Sequence, residues 1–374
     1  MYTIKNANIL NDKFEFEKND LQIDNGKIIK IGSDLSGGEV IDANGAYVFP
    51  GLVNIHTHGA MGYDTIGCGY EGINEMSKLW AKTGTTSFMP TMVTALRDDA
   101  CKAAEDVASA IDKGTEGASV VGIHMEGPYL SEKYKGAHRP DWLRTPKQFD
   151  FDELQTAAKG NIRLITMAPE LDGGIEFIKK YADKVKISLG HTAATYDVCK
   201  EAFKAGAAHV THLFNAMPGI HHRDLTLIAA AFESDAMVEL IGDGLHVKKQ
   251  TAMMAYKLFG DERMVLINDS VNAAGLGDGK YEFGGFNVTV KDGIALQDNG
   301  TICGGTASLW DCVKNMISWG VSIQSAVKMA TYNPAKAIGL SDKIGSIKEG
   351  KDADILIVSN ELELCDVFIK GRKI

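Results

Sequence analysis

The stretch Val48-Phe49-Pro50-Gly51-Leu52-Val53-Asn54-Ile55 runs directly into His56-Thr57-His58-Gly59. Side chains alternate along a strand with a period of two, so His56 and His58 are expected on the same face. Two imidazoles on one face can bind a divalent metal. A lone His-x-His pair is weak evidence, because such pairs also occur at ordinary polar strand ends. Further ligands at the ends of other strands would decide between these interpretations.

The middle of the chain repeats this pattern of an apolar run followed by a helical segment. Runs of strand length occur at residues 53–58, 86–91, 120–126, 162–168, 185–191, 209–214, 237–242 and 264–269. Helical patterns occur at residues 71–82, 97–113, 174–184, 195–205, 307–319 and 322–330. Eight strands that mostly alternate with helices predict an α/β protein with a (β/α)8 TIM-like barrel.

The two ends of the chain show a different pattern, in which short strands are separated by turn residues. Asn-Asp and Asn-Gly turns divide the first 48 residues, and residues 353–358 and 365–369 flank another turn. We therefore expect a small β-sandwich domain built from residues 1–50 and 340–374, and a barrel over residues 51–339. The Gly- and Asp-rich segment 275–300 is predicted to be a hairpin inserted over the active-site face.

Composition and charge limit the classes of partner. The chain has 374 residues, of which 45% are hydrophobic and 24% charged, as is usual for a soluble globular protein. Its net charge of −10 argues against nucleic acid or an anionic membrane as the main partner. Six dispersed cysteines, together with the lack of a signal-like or membrane-spanning apolar run, predict a reduced, soluble, cytoplasmic protein.

The predicted strand ends carry a set of metal-competent side chains. In barrels of this type the chemistry lies at the C-terminal ends of the strands. Read in order, five of those ends carry His56, His58, Glu126, His191, His212 and Asp269. A polar strand end would explain one or two of these residues, but not six. Imidazole and carboxylate ligands without a thiolate favour a catalytic site for Zn, Fe, Mn, Ni or Co.

Four other histidines are predicted to lie outside this set. His124 shares the face of Glu126 but lies one layer deeper, which favours a supporting or structural role. His209 opens its strand and is expected in the core or at an interface. His221 and His222 fall in a loop, where solvated side chains are expected.

The chain resembles the amidohydrolase superfamily, and more narrowly its N-acetylglucosamine-6-phosphate deacetylase family, in several segments. These are His56-Thr57-His58-Gly59, His124-Met125-Glu126-Gly127-Pro128, Gly190-His191-Thr192, Thr211-His212-Leu213-Phe214-Asn215-Ala216-Met217, Asp243-Gly244-Leu245-His246, Asp269 and Gly350-Lys351-Asp352-Ala353-Asp354. The resemblance runs in order through nearly the whole chain. The Glu-Gly-Pro and His-Leu-Phe-Asn-Ala-Met segments are specific to this branch of the superfamily.

The resemblance implies a metal-dependent hydrolase that converts N-acetyl-D-glucosamine 6-phosphate to D-glucosamine 6-phosphate and acetate. It implies that Glu126, His191 and His212 hold one divalent ion. His56 and His58 would contribute to a second site, with Glu126 bridging the two and Asp269 in contact. One or two ions per subunit are therefore expected. Asp269 is expected to be the catalytic general base.

Further residues are assigned to substrate binding by the same resemblance. His138 is expected beside the acyl oxygen, and Arg223 and His246 at the sugar phosphate. A guanidinium suits that role because its fork meets phosphate oxygens in a bidentate way. Further contacts are expected at Ala137, Asn215, Ala216, Ile302, Cys303 and Gly304. A homodimer is implied as well, because in related enzymes the phosphate-binding arginine can come from the neighbouring subunit.

Two alternatives stay open from the sequence. The first is another amidohydrolase, for example a deacetylase for N-acetylgalactosamine 6-phosphate or a cyclic-amide hydrolase, since a metal site of this kind does not separate epimers. The second, more remote alternative is a catalytically silent barrel that serves as a scaffold or sensor, because relatives can lose ligands while they keep a fold.

Overall fold

The computed structural model describes all residues from Met1 to Ile374, and its centre is a nearly closed barrel of eight parallel strands. The strands follow one another around the barrel in chain order. They are Leu52–Thr57, Thr85–Met92, Ile123–Glu126, Ile162–Met167, Lys186–Leu189, His209–Val210, Met237–Ile241 and Met264–Ile267. A two-residue strand, Ser119–Val120, adds to the second of them. The barrel predicted from the sequence is thus confirmed.

Burial explains why these strands are rich in apolar residues. Every residue of Leu52–Thr57 and of Thr85–Met92 is buried. Parallel strands covered on both faces by other elements need apolar residues at successive positions rather than at alternate ones. The largest hydrophobic cluster, of 68 buried residues, joins the strands to the surrounding helices through side chains such as Phe88, Trp80 and Phe177.

Ten α-helices surround the barrel or close its end. They are Gly69–Lys82, Arg97–Lys113, Phe151–Ala157, Gly174–Tyr181, Tyr196–Ala205, Leu227–Glu233, Lys249–Arg263, Leu309–Ser318, Ile323–Ala330 and Tyr332–Ala337. Short 3-10 helices lie at Glu132–Tyr134 and Pro140–Trp142. None of the ten helices combines the length and the hydrophobicity that crossing a bilayer requires.

The two ends of the chain form a separate β-sandwich-like unit around one eight-stranded sheet. Its strands are Tyr2–Leu10, Phe16–Asp24, Lys27–Gly32, Glu39–Asp42, Tyr47–Pro50, Ile355–Val358, Leu364–Ile369 and Arg372–Lys373. The two ends meet where Tyr47–Pro50 pairs antiparallel with Ile355–Val358. A cluster of 13 buried residues from both ends, including Ile9 and Phe368, fills its core.

The segment after the last barrel strand is larger than the sequence predicts. Instead of one hairpin over residues 275–300, it forms a four-stranded antiparallel sheet of Gly279–Phe283, Phe286–Lys291, Ile294–Gln297 and Ile302–Gly305. Gly284-Gly285 and Asp292-Gly293 supply the positive backbone angles that its two tight turns need. The last strand was missed because its two glycines, Gly304 and Gly305, make it a poor strand former. A short hairpin, in which Gly59–Ala60 pairs with Tyr63–Asp64, directly follows the first barrel strand.

Candidate active site

The candidate active site is a cavity of about 350 Å³ at the C-terminal ends of the barrel strands. Its walls combine strand-end side chains, such as His58 and Asp269, with the inserted four-stranded sheet. The sheet closes one side of the barrel opening through Phe283, Ile302, Cys303 and Gly304. The barrel strands therefore supply the polar groups, and the insertion supplies a wall.

Glu126, His191 and His212 form what we call the first ligand group. Glu126 Oε1 lies 3.2 Å from His191 Nε2 and 3.1 Å from His212 Nε2. The two imidazole nitrogens are 3.0 Å apart. All three residues are buried, so their donor atoms converge on one point that bulk water does not screen.

His56, His58 and Glu126 form a second ligand group on the other side of the same carboxylate. His58 Nε2 lies 3.3 Å from Glu126 Oε2 and 3.3 Å from His56 Nε2. Asp269 Oδ1 lies 3.2 Å from His58 Nε2 and 3.5 Å from His56 Nε2. Glu126 is thus shared by both groups: Oε1 faces His191, His212 and, at 3.6 Å, His56 Nε2, whereas Oε2 faces His58.

The donor set fits one or two divalent ions. Nitrogen and carboxylate donors gathered without a thiolate suit borderline or hard cations of the Zn and Mn kind. Asp269 Oδ1 is buried and has no hydrogen-bond partner of good geometry, although four imidazoles surround the site. Imidazole nitrogens that face one another at hydrogen-bond distance need a shared proton or a cation between them. A bound ion would satisfy these atoms together.

Three of the site residues have an unusual backbone. His191, His212 and Asp269 have φ angles of 47°, 27° and 45°, in the left-handed region that most side chains avoid. Each lies just beyond the end of its strand, where the chain turns away from the barrel. Such conformations persist only where the surroundings enforce them, and they are concentrated at functional sites.

Electrostatics keep the two carboxylates ionised. Burial raises the pKa of Glu126, but the charges of His191 and His56 outweigh it and hold that pKa well below its usual range. The same opposition acts on Asp269, where His56 and His58 lower the pKa of the carboxyl despite its burial. Burial lowers the pKa of His58, yet the neighbouring carboxylates of Asp269 and Glu126 raise it to about 10. Ionised carboxylates can bind a cation or accept a proton.

Glu239 is a functional candidate that the sequence reasoning missed. Its fully buried carboxylate lies 2.9 Å from His56 Nδ1 and accepts a hydrogen bond from the backbone N–H of His212 at 3.1 Å. His209 Nε2 lies 3.3 Å from its other oxygen. The carboxylate therefore orients one ligand from each group. A charged residue inside the apolar strand Met237–Ile241 was the signal that could have revealed it.

Replacing Glu239 with glutamine is expected to weaken metal binding by about 10- to 100-fold, the usual effect of losing an outer hydrogen-bond partner of a ligand. Glutamine keeps the size of the side chain but not the charge that holds His56 in place. Competition with a chelator measures the affinity, and Glu233→Gln on the protein surface is the matched control. An unchanged affinity in Glu239→Gln would remove this role.

His138 offers a hydrogen-bond donor beside the first ligand group. The backbone N–H of Thr94 donates to His138 Nδ1 at 3.2 Å, so the proton of a neutral ring lies on Nε2. Burial lowers the pKa of His138 to about 4, which keeps the ring neutral. His138 Nε2 lies 3.3 Å from Glu126 Oε2. Its N–H is therefore available to an oxygen atom near that carboxylate.

His246 is fixed at another part of the cavity wall. Its Nδ1 lies 2.6 Å from Asp243 Oδ2, and the backbone N–H groups of Leu245 and His246 donate to Asp243 Oδ1. Burial lowers the pKa of His246, but the Asp243 carboxylate outweighs it and raises that pKa. His246 Nε2 is buried without a partner, so in the protonated ring it is a free donor for an anionic ligand.

The structure brings most of the other sequence-predicted residues to the same cavity. Its lining includes Ala137, Asn215, Ala216, Ile302, Cys303 and Gly304. His124 lies deeper, with Nε2 2.8 Å from Thr166 Oγ1 and its ring packed edge-on against His56. Sequence reasoning missed Val93 and Phe283 in the lining, because single apolar residues there look like ordinary core.

Arg223 is the exception among the predicted substrate contacts. It is exposed, does not line the cavity, and its Nη1 lies 2.7 Å from His222 Nε2. His221 and His222 are exposed too, as the sequence predicts. The loop also exposes two large apolar side chains, Ile220 and Leu225. Within one chain, Arg223 therefore does not contribute to the lining of the cavity.

Comparison with known proteins places this site in a class of enzymes. The family model described as the amidohydrolase family matches residues 47–374, which is most of the chain. The chain therefore belongs to the amidohydrolase family, whose members include hydrolases built on such barrels.

Individual relatives narrow the class further. The chain is 35% identical to an N-acetylglucosamine-6-phosphate deacetylase of Bacillus subtilis (strain 168), over 99% of this chain and 96% of the relative. It is 32% identical to an N-acetylgalactosamine-6-phosphate deacetylase of Escherichia coli O157:H7, over 89% of each. A crystal structure of N-acetylglucosamine-6-phosphate deacetylase from Pasteurella multocida superposes with a TM-score of 0.93 at 30% identity, covering 100% of this chain and 99% of the other. Within the amidohydrolases, the chain belongs with the N-acetylglucosamine-6-phosphate deacetylases.

Proposed function

We propose that this protein hydrolyses the acetamide of N-acetyl-D-glucosamine 6-phosphate to acetate and D-glucosamine 6-phosphate. The observation that carries the proposal is the pair of ligand groups sharing Glu126, with the ionised Asp269 beside them in a cavity. Nitrogen and oxygen donors gathered at the strand ends of an amidohydrolase barrel can hold a divalent metal, which activates water for the hydrolysis of an unactivated amide. The relatives named above support the choice of substrate.

The metal is proposed to be Zn, Fe, Mn, Ni or Co, with one ion held by Glu126, His191 and His212. A second ion would be held by His56, His58 and Glu126, with Asp269 in contact. When bound, the ion supplies electrophilic activation of the acyl carbonyl and of the attacking water.

Asp269 is proposed as the group that moves the proton. Its carboxylate is ionised and lies at the end of the eighth barrel strand, beside both ligand groups. It would accept the proton of the attacking water and return it to the nitrogen of the departing amine. His138 would donate its Nε2–H to the acyl oxygen as negative charge develops there. The C–N bond then breaks to give acetate and the free amino sugar.

The sugar phosphate is proposed to bind at the His246 end of the cavity. The unpartnered His246 Nε2 is a donor in the charged form of the ring, and the raised pKa of the ring favours that form. The neighbouring walls are lined by Asn215, Ala216 and residues 302–304, whose backbone groups would supply neutral hydrogen bonds. An imidazolium opposite phosphate oxygens forms a charge-assisted hydrogen bond.

We further propose a homodimer in which Arg223 of one subunit reaches the phosphate in the other. The exposed side chains of Ile220 and Leu225 beside it support a protein contact at this loop. The six cysteines are free, which supports a reducing cytoplasmic location.

Replacing Arg223 with alanine is expected to raise KM by about 10- to 100-fold with little change in kcat, because a charge-assisted contact contributes about 1.5–3 kcal/mol. The guanidinium touches only the phosphate, which does not react. Steady-state kinetics measure the effect. Arg97→Ala, which breaks a surface pair with Glu153, is the control. An unchanged KM would remove Arg223 from the site.

One experiment tests the proposed substrate against its alternatives. Acetate release is followed with the 6-phosphates of N-acetylglucosamine and N-acetylgalactosamine, on protein whose metal content has been measured. A clear preference for the gluco epimer is expected. An equal or reversed preference would favour the galactosamine alternative. A protein that stays inactive after addition of Zn²⁺, Fe²⁺ or Mn²⁺ would instead favour a scaffold.

A further inference from the structure

The cavity has an apolar corner beside its reactive groups. Val93, Ala137 and Phe283 form it, and all three pack into the same hydrophobic cluster under the inserted sheet. The Phe283 ring lies edge-on to the ring of His58, with 5.6 Å between centroids. Ala137 immediately precedes His138, and Val93 immediately precedes Thr94, whose hydroxyl lies 2.8 Å from His138 Nδ1. The corner is therefore adjacent to the proposed acyl-oxygen donor.

A second cavity lies directly behind this corner. Its volume is about 390 Å³, and its lining includes Asp64, Trp142 and the Gly284-Gly285 turn. Val93 and Phe283 line both cavities, and they are the only residues common to the two. These two side chains thus form a partition between the candidate active-site cavity and an open space large enough for several carbon atoms.

We propose that the apolar corner receives the alkyl part of the substrate's acyl group, and that the Phe283 ring sets the longest acyl chain the enzyme accepts. The inference rests on the proposed amide hydrolysis, because that reaction fixes the acyl carbon between Asp269 and His138. An alkyl group on that carbon must then point toward a wall of the cavity that is one bond away.

The other walls suit the alkyl group less well. The ligand groups and Asp269 are charged or polar, and the part proposed for the sugar phosphate is lined by Asn215, Ala216, His246 and residues 302–304. A methyl group fits against Val93, Ala137 and Phe283 without unpairing any polar atom. A longer chain would collide with the Phe283 ring, although free space lies beyond it.

The test compares N-acetyl-, N-propionyl- and N-butyryl-glucosamine 6-phosphate as substrates of the metal-loaded enzyme. Release of glucosamine 6-phosphate is measured, because this product is the same for all three. In Phe283→Ala, the ratio of kcat/KM for butyryl over acetyl is expected to rise by roughly 10- to 200-fold, the range that steric fit in an apolar pocket provides. Using the ratio removes any general loss of activity from a loosened His58.

Tyr281→Ala is the matched control. Tyr281 lies two residues before Phe283 in the strand Gly279–Phe283, packs against the same hydrophobic cluster, and lines neither cavity. Its loss perturbs the inserted sheet without opening the partition. The ratio is therefore expected to stay within about twofold of wild type, because a tenfold change would need a difference of about 1.4 kcal/mol between the two substrates. Val93→Ala opens the partition from the barrel side, and it replaces Phe283→Ala in the comparison if Phe283→Ala does not fold.

The outcomes separate this inference from the proposed function. A raised ratio in Phe283→Ala or Val93→Ala, but not in Tyr281→Ala, supports the acyl limit. An unchanged ratio in a folded, active partition variant overturns it, and so does an equal rise in the control. If the metal-loaded wild type releases the amino sugar from none of the three substrates, it is the proposed function that fails.

Discussion

Asp269→Asn is expected to lower kcat by about 10²- to 10⁴-fold, the usual contribution of a positioned general acid–base group. Asparagine has the same size and keeps one oxygen toward His58, but it cannot accept the proton of water or return it to the amine. Because Glu126, His191 and His212 are untouched, the first ligand group should still bind its metal. The change therefore separates proton transfer from metal binding.

The measurement is kcat at saturating substrate together with metal content per subunit. Asp64→Asn is the matched control, since Asp64 is a half-buried carboxylate at the same end of the barrel that lines the second cavity but not the first. Near-normal turnover by Asp269→Asn would show that another group moves the proton. A loss of metal in this variant would show that Asp269 is chiefly a ligand.

Glu126→Gln is expected to abolish activity for a different reason. Its carboxylate is the one donor that belongs to both ligand groups, so the neutral amide removes a charge from each. Loss of an outer partner alone weakens metal binding by about 10- to 100-fold, and loss of a shared direct ligand should exceed that. Metal analysis after dialysis against a weak chelator is expected to find the variant largely free of metal.

His58→Gln provides the comparison for Glu126→Gln, because it alters only the second ligand group. If one ion is sufficient, this variant keeps one metal and measurable activity. Treating wild type with a strong chelator and then restoring each divalent metal identifies which ion supports turnover. A Glu126→Gln protein with a full metal complement would contradict the shared-ligand assignment.

The barrel could be predicted because its strands leave a strong signal. Strands buried on both faces need continuous apolar residues, and each of the eight predicted runs overlaps a strand of the structure. Their ends are less well defined. The predicted run 209–214 contains only the two-residue strand His209–Val210, because the chain turns at His212 with a positive φ. Local sequence does not encode that turn, which the packed site enforces.

The candidate site was predictable where function requires a rare residue type. Histidines and carboxylates at strand ends stand out against apolar runs, and the structure brings all six together. Phe283 and Val93 do not stand out, because an apolar side chain in a wall looks like one in the core. The role of Glu239 is visible only in the structure, which places its carboxylate beside His56 and His212. The role proposed for Arg223 needs a second subunit, which one sequence cannot display.

The pairing of Tyr47–Pro50 with Ile355–Val358 has a consequence during synthesis on the ribosome. About 300 residues separate these two strands along the chain. At about 5–20 residues per second, the first strands wait roughly 15–60 s before their partner is made. Throughout that interval the nascent chain presents an open strand edge, the kind of surface on which polypeptides aggregate. We therefore expect newly made chains to depend on chaperone protection until the last strands emerge.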